Sequence, residues 1–221
     1  MRRLVLAYLF ISLISSFVLA QEKCGNNELQ FQFKPSETIS FAYLKNYGTY
    51  SWRFSTDLGI SISDGSIDSK SEYSDYDVSK REIENSGNYQ SLSLYAQFLL
   101  NHSYSSKVKL FYGAGPIVGY SRNYNSRTIN NLTNTGKTYN ENKTNTFSVG
   151  LIGSIGIWCE VSEPVSFILE YNIRATYARE IYDSMYEIFE PIASSKSYTE
   201  EKSNSWLLNF GGIKLGVAVK L

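Results

Sequence analysis

The chain has 221 residues, of which 21 are basic and 21 acidic, so its formal net charge at pH 7 is zero. This balance excludes the basic surface expected of a nucleic-acid-binding protein, and two cysteines are too few for a disulfide scaffold. After the first 20 residues, no segment carries the roughly 18 consecutive apolar residues of a membrane-spanning helix.

The N-terminus has the three parts of a secretory signal peptide. Met1-Arg2-Arg3 is basic, residues 4–18 are almost wholly apolar, and short side chains precede a cleavage point between Ala20 and Gln21. We therefore expect a signal peptide over residues 1–20 and a single domain over residues 21–221. Cleavage would leave 19 basic against 21 acidic side chains, because two arginines lie in the signal peptide.

Eight segments alternate apolar and polar residues with the period of two that is typical of half-buried β-strands. The alternation is clearest after Tyr50, where Trp52, Phe54 and Leu58 share one face. The first two segments are the weakest, and six strands with a separate N-terminal segment is the alternative. In chain order, the predicted strands cover residues 27–34, 38–45, 50–63, 88–100, 107–120, 145–161, 165–179 and 204–221.

The last predicted strand runs to Leu221, with an apolar side chain at every second position from Ile213. The edge of such a strand must be paired, and closure of the sheet into a barrel provides the pairing. Together with an exported N-terminus, the pattern predicts an all-β fold, an eight-stranded antiparallel transmembrane up-and-down β-barrel in the outer membrane of a Gram-negative bacterium. The expected partners are outer-membrane lipid and the barrel-assembly machinery, and no nucleic acid.

The connections between these strands alternate in length. Residues 46–49, 101–106 and 162–164 are short, whereas 64–86, 122–144 and 181–203 are long and polar; the short segment 35–37 departs from the pattern. Short periplasmic turns and long outer loops are typical of outer-membrane barrels. The long loops differ in the sign of their charge, which favours contacts between loops or an extracellular ligand bound by them. Solvated, partly mobile loops are the other interpretation.

Aromatic residues near the predicted strand ends are expected to form girdles at the two membrane interfaces. They are Tyr43, Tyr50, Trp52, Tyr89, Tyr120, Trp158, Tyr177, Tyr182 and Trp206.

Residues 110–120, Leu-Phe-Tyr-Gly-Ala-Gly-Pro-Ile-Val-Gly-Tyr, resemble the strand with tyrosine, Gly-x-Gly and Gly-Tyr of the small outer-membrane protein β-barrel families, the OmpA/OmpX-like and porin-like barrels. The glycine-rich segment 145–161 and the closing C-terminal strand are similar too. The chain departs from the family pattern at Leu221, where such barrels usually end in an aromatic residue. It also departs at Pro116, where a lost ladder hydrogen bond predicts a bulge.

No set of residues predicts catalysis. The only histidine, His102, lies in a predicted turn, and neither a zinc-type Cys/His cluster nor an acidic Ca²⁺-loop spacing occurs. We therefore predict a protein that is not an enzyme and carries no cofactor or metal. Cys24 and Cys159 both lie toward the periplasmic side of the predicted topology, which is an oxidising compartment. A disulfide between them and two unpaired cysteines are the two alternatives.

The polar face of the predicted strands carries five charges in mid-strand. If that face lines the lumen, the charges must pair or be hydrated, because unpaired buried charge is costly. In a barrel of eight strands, we expect a plug of ion pairs, with Glu170 next to Arg174, and a structural or surface-interaction role through the outer loops. The alternatives are a narrow ion or solute pore, and a soluble secreted lipocalin-like lipid carrier with its apolar face inward. The five residues are Arg53, Asp57, Glu170, Arg174 and Lys214.

Overall fold

The computed structural model describes residues 27–34, 38–73, 77–131, 136–189 and 194–221. The signal peptide with its cleavage residues Ala20 and Gln21, and also Cys24, lie outside the described residues. Across these five ranges, no helix has the length and apolar character needed to cross a membrane.

Eight antiparallel strands close into one barrel, in which each strand pairs with its neighbours in the chain and β1 pairs with β8. The predicted eight-stranded barrel is confirmed. The six-strand alternative is wrong, because the first strand forms ladders with both the second and the last. The strands are β1 (Asn27–Lys34), β2 (Thr38–Asn46), β3 (Tyr50–Tyr73), β4 (Asp77–Ser103), β5 (Val108–Asn131), β6 (Lys137–Ser162), β7 (Val165–Phe189) and β8 (Ser194–Lys220).

The short connections 47–49, 104–107 and 163–164 lie at one end of the barrel, which we call the turn end. Asn27 and Leu221 lie there too, and the Leu221 amide donates to the Asn27 carbonyl over 2.9 Å. In the first of these turns, Gly48 has φ of +89°, a left-handed conformation that glycine adopts without steric cost. The opposite end, where β3 meets β4, β5 meets β6 and β7 meets β8, is called the hairpin end.

The prediction of long loops over 64–86, 122–144 and 181–203 is wrong, because strands β3 to β8 continue through most of these residues. The β3–β4 ladder, for example, runs without interruption from Tyr50↔Leu100 to Tyr73↔Asp77. Ladder hydrogen bonds join backbone groups, so pairing continues where serine, asparagine and threonine replace the apolar residues that made the strands visible in the sequence. We call this part of the sheet the extension; it comprises residues 60–73, 77–90, 121–131, 137–146, 178–189 and 194–205.

The first two strands, β1 and β2, are much shorter than the other six strands. Thr38 at the start of β2 pairs with Gly59, and Phe33 near the end of β1 pairs with Leu215. Among the described residues, no strand pairs with β3 on that side beyond Gly59, or with β8 on that side before Leu215. The extension is therefore an open six-stranded sheet that stands on a closed barrel.

The barrel is apolar outside and polar inside. Leu151 and Ile155 on the outer face are 63% and 60% exposed, whereas Gln30, Arg53 and Glu170 on the inner face are 1% exposed. The lipocalin-like alternative is therefore wrong, because it requires the apolar face to point inward. The outer apolar band spans about eleven residues of β7, Phe167 to Tyr177, which is the length of about 9–11 residues that a membrane-spanning strand requires.

Aromatic rings pack in pairs at both edges of the outer apolar band. Tyr177 and Trp206 lie 5.4 Å apart toward the hairpin end, and Tyr47 and Tyr50 lie 5.1 Å apart at the turn end. Three of the predicted girdle residues are placed elsewhere. Trp158 is buried inside the barrel, Tyr89 lines an interior cavity, and the hydroxyl of Tyr182 donates to Asn142 on the inner face of the extension. Alternation alone does not show which face an aromatic residue occupies.

Cys159 is a free cysteine on the outer surface of the described part of the chain. Its partner in the proposed disulfide, Cys24, lies outside the described residues, so the disulfide stays a prediction.

The irregularities of the wall differ from the prediction. Pro116 causes no bulge, since the β4–β5 register is the same at Tyr95↔Ile117 and Phe98↔Ala114 on either side of it. The register instead shifts in β8, where Tyr171 pairs with Ile213 but Asn172 pairs with Gly211. The two consecutive glycines at 211 and 212 accommodate the extra residue.

The close approach of β4 and β5 explains why glycine occupies positions 113 and 115 of the barrel wall. A Cβ atom at Gly115 would lie 1.7 Å from the carbonyl oxygen of Ala96, so any side chain there would push the strands apart. At Gly153, on β6, the nearest atom to an added Cβ would be the Gly113 carbonyl oxygen at 3.9 Å, which is ordinary contact.

We expect Gly115→Ala to destabilise the barrel by at least about 1–3 kcal/mol, because overpacking here meets backbone rather than a movable side chain. Gly153→Ala, the matched control in the same wall, should be close to neutral. Urea unfolding of the refolded proteins in detergent, followed by tryptophan fluorescence, measures both. Equal midpoints for the two variants would contradict the close approach.

Candidate functional site in the barrel lumen

The structure brings all five mid-strand charges together inside the barrel, in two layers. Arg53 and Asp57 lie four residues apart on β3, and Glu170 and Arg174 lie four residues apart on β7, with the signs reversed. Each acid therefore faces a base of the opposite strand. Lys214 of β8 completes the group.

The layer nearer the turn end is built on the pair Arg53–Glu170, which we call the lower pair. Nη1 and Nη2 of Arg53 donate to the two carboxylate oxygens of Glu170 over 2.5 and 2.8 Å. The Arg53 guanidinium also donates to Gln97 Oε1 and Ser154 Oγ, and Gln32 donates to Glu170 over 2.9 Å. Both charged side chains are fully buried. This bidentate, fully hydrogen-bonded arrangement is the geometry that compensates for the loss of water.

The layer nearer the hairpin end is built on Asp57, Lys214 and Arg174, which we call the upper triad. Lys214 Nζ lies 2.9 Å from each carboxylate oxygen of Asp57, and Arg174 donates through Nη2 to the same carboxylate. Lys214 also donates to Ser40 Oγ, and the hydroxyl of Tyr95 donates to Asp57 over 3.1 Å. One carboxylate thus serves two cations.

The expected pairing of Glu170 with Arg174 is wrong. Residues four apart on one strand are separated by about 13 Å along it, too far for a direct ion pair between these side chains. Glu170 contacts Arg53, and Arg174 contacts Asp57, because the stagger of the barrel places β3 across the lumen from β7 at matching depths.

A floor of apolar side chains closes the lumen between the lower pair and the turn end. Phe111 and Trp158 pack with ring centroids 4.5 Å apart and ring planes inclined by 32°, and the Arg53 guanidinium lies over the Phe111 ring at 5.6 Å. The floor was not predicted, although its signal is visible in the sequence as apolar residues in both registers, as in Leu99-Leu100 and Leu110-Phe111. It comprises Leu44, Leu99, Phe111, Trp158, Ile168 and Ala218.

Neutral polar side chains that were not predicted from the sequence complete the two layers. Ser154 shows their role, since it accepts from Arg53 and Gln97 and donates to Asn172 Oδ1 over 2.5 Å. In the sequence, these residues can be recognised because they occupy the inward-facing alternate positions of the strands, as the charged residues do. They are Gln32, Ser40, Tyr95, Gln97, Ser154 and Asn172.

Above the upper triad lies a polar cavity of about 280 Å³ on the side of the hairpin end. Nine of its twenty lining residues carry hydroxyl groups, among them Ser91, Ser93 and Ser148, and Asn172, Arg174 and Lys214 lie at its base. The described residues contain no group of acidic, histidine or cysteine side chains that could hold a metal ion. The lumen therefore consists of a floor, two ionic layers and a cavity that is closed toward the turn end.

Comparison with known proteins finds weak structural similarity and does not assign the chain to a family. No family model and no curated protein matches the chain. Among solved structures, CarO of Acinetobacter baumannii aligns with a TM-score of 0.37 and 11% identity, over 88% of this chain and 96% of CarO. A major outer membrane protein from Thermus thermophilus aligns with a TM-score of 0.34 and 10% identity, over 88% of this chain and 98% of that protein.

These scores are too low to transfer any residue role, so functional inference depends on the geometry of the chain itself. The small barrel that the sequence resemblance implied is present. Membership of the OmpA/OmpX-like families in particular stays a prediction.

We expect Glu170→Ala to destabilise the barrel by about 3–5 kcal/mol, because it leaves Arg53 buried without a counter-charge. Glu160→Ala is the matched control: Glu160 bonds Lys220 at 3.2 Å with both side chains partly exposed, and such a pair contributes about 0–1 kcal/mol. Urea unfolding in detergent provides the comparison.

Replacing both members, as in Arg53→Met with Glu170→Met, should recover much of the loss, because no buried charge remains. A double variant no more stable than Glu170→Ala would show that the cost arises from packing and not from charge.

Proposed function

We propose that the chain is a small integral protein of the bacterial outer membrane that is not an enzyme, with a closed lumen that stabilises the barrel and an extension that acts at the cell surface. The packing of the lumen is the observation that supports the proposal. The floor and the two ionic layers fill the interior with side chains, which favours a lumen without a continuous water path and a function on the surfaces of the protein.

The outer face supports location in a membrane. An apolar surface around the barrel is far larger than the few hundred Å² that a soluble monomer tolerates. Exposed residues such as Phe54, Leu151 and Phe167 lie on different strands around its circumference. Lipid removes this surface from water, and the aromatic rings at both edges of the band suit the headgroup regions.

The extension supports a role in surface interaction. It continues the sheet well beyond the apolar band, and its two faces differ. Asn85, Asn125 and Asn142 contribute amides to a groove that Asp64 and Arg127 also line, whereas Glu84, Lys143 and Lys202 lie in the opposite register from the three asparagines. A polar sheet on a rigid barrel holds its side chains in fixed positions, which loops do not. An extracellular ligand of the three hairpins 64–86, 122–144 and 181–203 therefore remains part of the proposal.

The location and orientation can be tested by cysteine labelling of intact cells. In a background with Cys24 and Cys159 replaced by serine, Asn204→Cys on the extension should react with a membrane-impermeant maleimide. Ser106→Cys, an exposed residue at the turn end, should react only after the outer membrane is permeabilised. Labelling of both residues in intact cells, or of neither, would contradict the proposed orientation.

The closed lumen can be tested by conductance in planar lipid bilayers. The refolded wild-type protein should insert without producing stable ion-selective channels, because ionic layers and apolar floor block the axis; a known porin inserted in parallel is the positive control. If the wild type forms stable channels and their ion selectivity changes in Arg174→Ala, the closed lumen is contradicted. The protein is then a narrow pore, and Arg174 is part of the lining that determines its selectivity.

A further inference from the structure

The charges of the upper triad do not balance. Lys214 and Arg174 are two cations, and Asp57 is the one anion that both contact. The lower pair is neutral, so the excess of one positive charge belongs to the upper triad, where Asp57 is shared between Lys214 and Arg174. An uncompensated charge inside a protein carries a large desolvation penalty, which a counter-ion relieves.

Hydrogen-bond donors without partners lie at the same place. Arg174 donates only through Nη2 among the described residues, and about a quarter of its side chain is exposed to the cavity. Asn172 is 1% exposed and lines the cavity, and its Nδ2 has no partner. The orientation of this amide is fixed by Ser154, which already accepts from Arg53 and Gln97 and so uses its hydroxyl hydrogen to donate to Asn172 Oδ1.

Hydroxyl groups on β4 and β6 complete the donor set of the cavity. Ser93 and Ser148 flank Gly119, and a Cβ atom there would lie 2.7 Å from Ser148 Oγ and 3.3 Å from Ser93 Oγ. The glycine thus leaves the room that both hydroxyls occupy. Lys34 also lines the cavity, but it has an interaction of its own and is not needed for the excess charge.

We propose that this cavity is a binding site for a small oxyanion, a phosphate, sulfate or carboxylate group, which Arg174, Asn172 and the wall hydroxyls would bind. A volume of about 280 Å³ is at the lower limit for ligand pockets and fits a small anion with a few further polar atoms. Asp57 is the one acid at the base, and its charge is already shared by two cations. The site goes beyond the proposed function and does not require the outer-membrane location.

The test uses inorganic phosphate and the full barrel, refolded in an uncharged detergent without lipid. A ligand that binds only the folded state raises the unfolding temperature as its concentration increases. We expect phosphate to raise the unfolding temperature of the wild type more than sodium chloride at equal ionic strength. Isothermal titration calorimetry gives the affinity directly.

Arg174→Gln should weaken phosphate binding by at least about tenfold, because it removes both the excess charge and the free donors. It should still fold, since Asp57 and Lys214 remain as a neutral pair. Asn172→Ala should weaken binding to a smaller extent. The matched control is Arg122→Gln, which removes an exposed arginine of β5 outside the cavity lining and should leave binding unchanged.

The same oxyanion chemistry could come from a free solute or from a lipid headgroup. Phosphatidylglycerol vesicles added to the phosphate-bound protein distinguish the two, since displacement of phosphate assigns the site to a headgroup and retention assigns it to a free anion. The proposal is overturned if phosphate has no effect beyond chloride, or if Arg174→Gln binds phosphate as tightly as the wild type.

Discussion

The lumen of an eight-stranded barrel is only wide enough for side chains, and this constraint governs the rest of the structure. At the level of the two ionic layers, the charged groups find their partners on other strands, because little space remains there for water to hydrate them. Arg53 satisfies the constraint by contacting Glu170 across the lumen and Gln97 on the adjacent strand. These contacts join strands that are distant in the chain, so they specify the stagger of the barrel as well as contributing to its stability.

The same narrowness explains the composition of the wall. Where strands approach most closely, as at Gly115, the inner face has no room for a Cβ atom. Between the lower ionic layer and the turn end, the large aromatic rings of the floor fill the cross-section of the barrel. The outer face carries none of these steric restrictions and is predominantly apolar along the band. Polar inside and apolar outside is the reverse of a soluble barrel, and it is the arrangement expected of the proposed membrane barrel, which pairs its charges within the lumen and would contact lipid outside it.

The sequence was sufficient to predict the strands of the barrel wall, because their outer residues alternate strictly with polar or small ones. It was not sufficient for the extension, where residues such as Asn140, Ser184 and Thr199 give no apolar period although the ladder continues. The five lumen charges were found from their register, but their pairing was not, since partner choice depends on the stagger between β3 and β7. The apolar floor does not follow from the alternation, because Phe111 and Leu99 are apolar residues in the otherwise polar inner register.

The short β1–β2 hairpin gives the extension the shape of a trough with one side missing. Beyond Gly59 on β3 and before Leu215 on β8, the two free edges face each other across the space that two further strands would occupy. The unpaired edge of β8 begins within the outer apolar band, because Phe210 and Ile213 precede Leu215 and are exposed on the outer face. Longer β1 and β2 strands would pair with these edges and carry the closed barrel further toward the hairpin end, so the length of one hairpin sets where the closed barrel gives way to the open sheet.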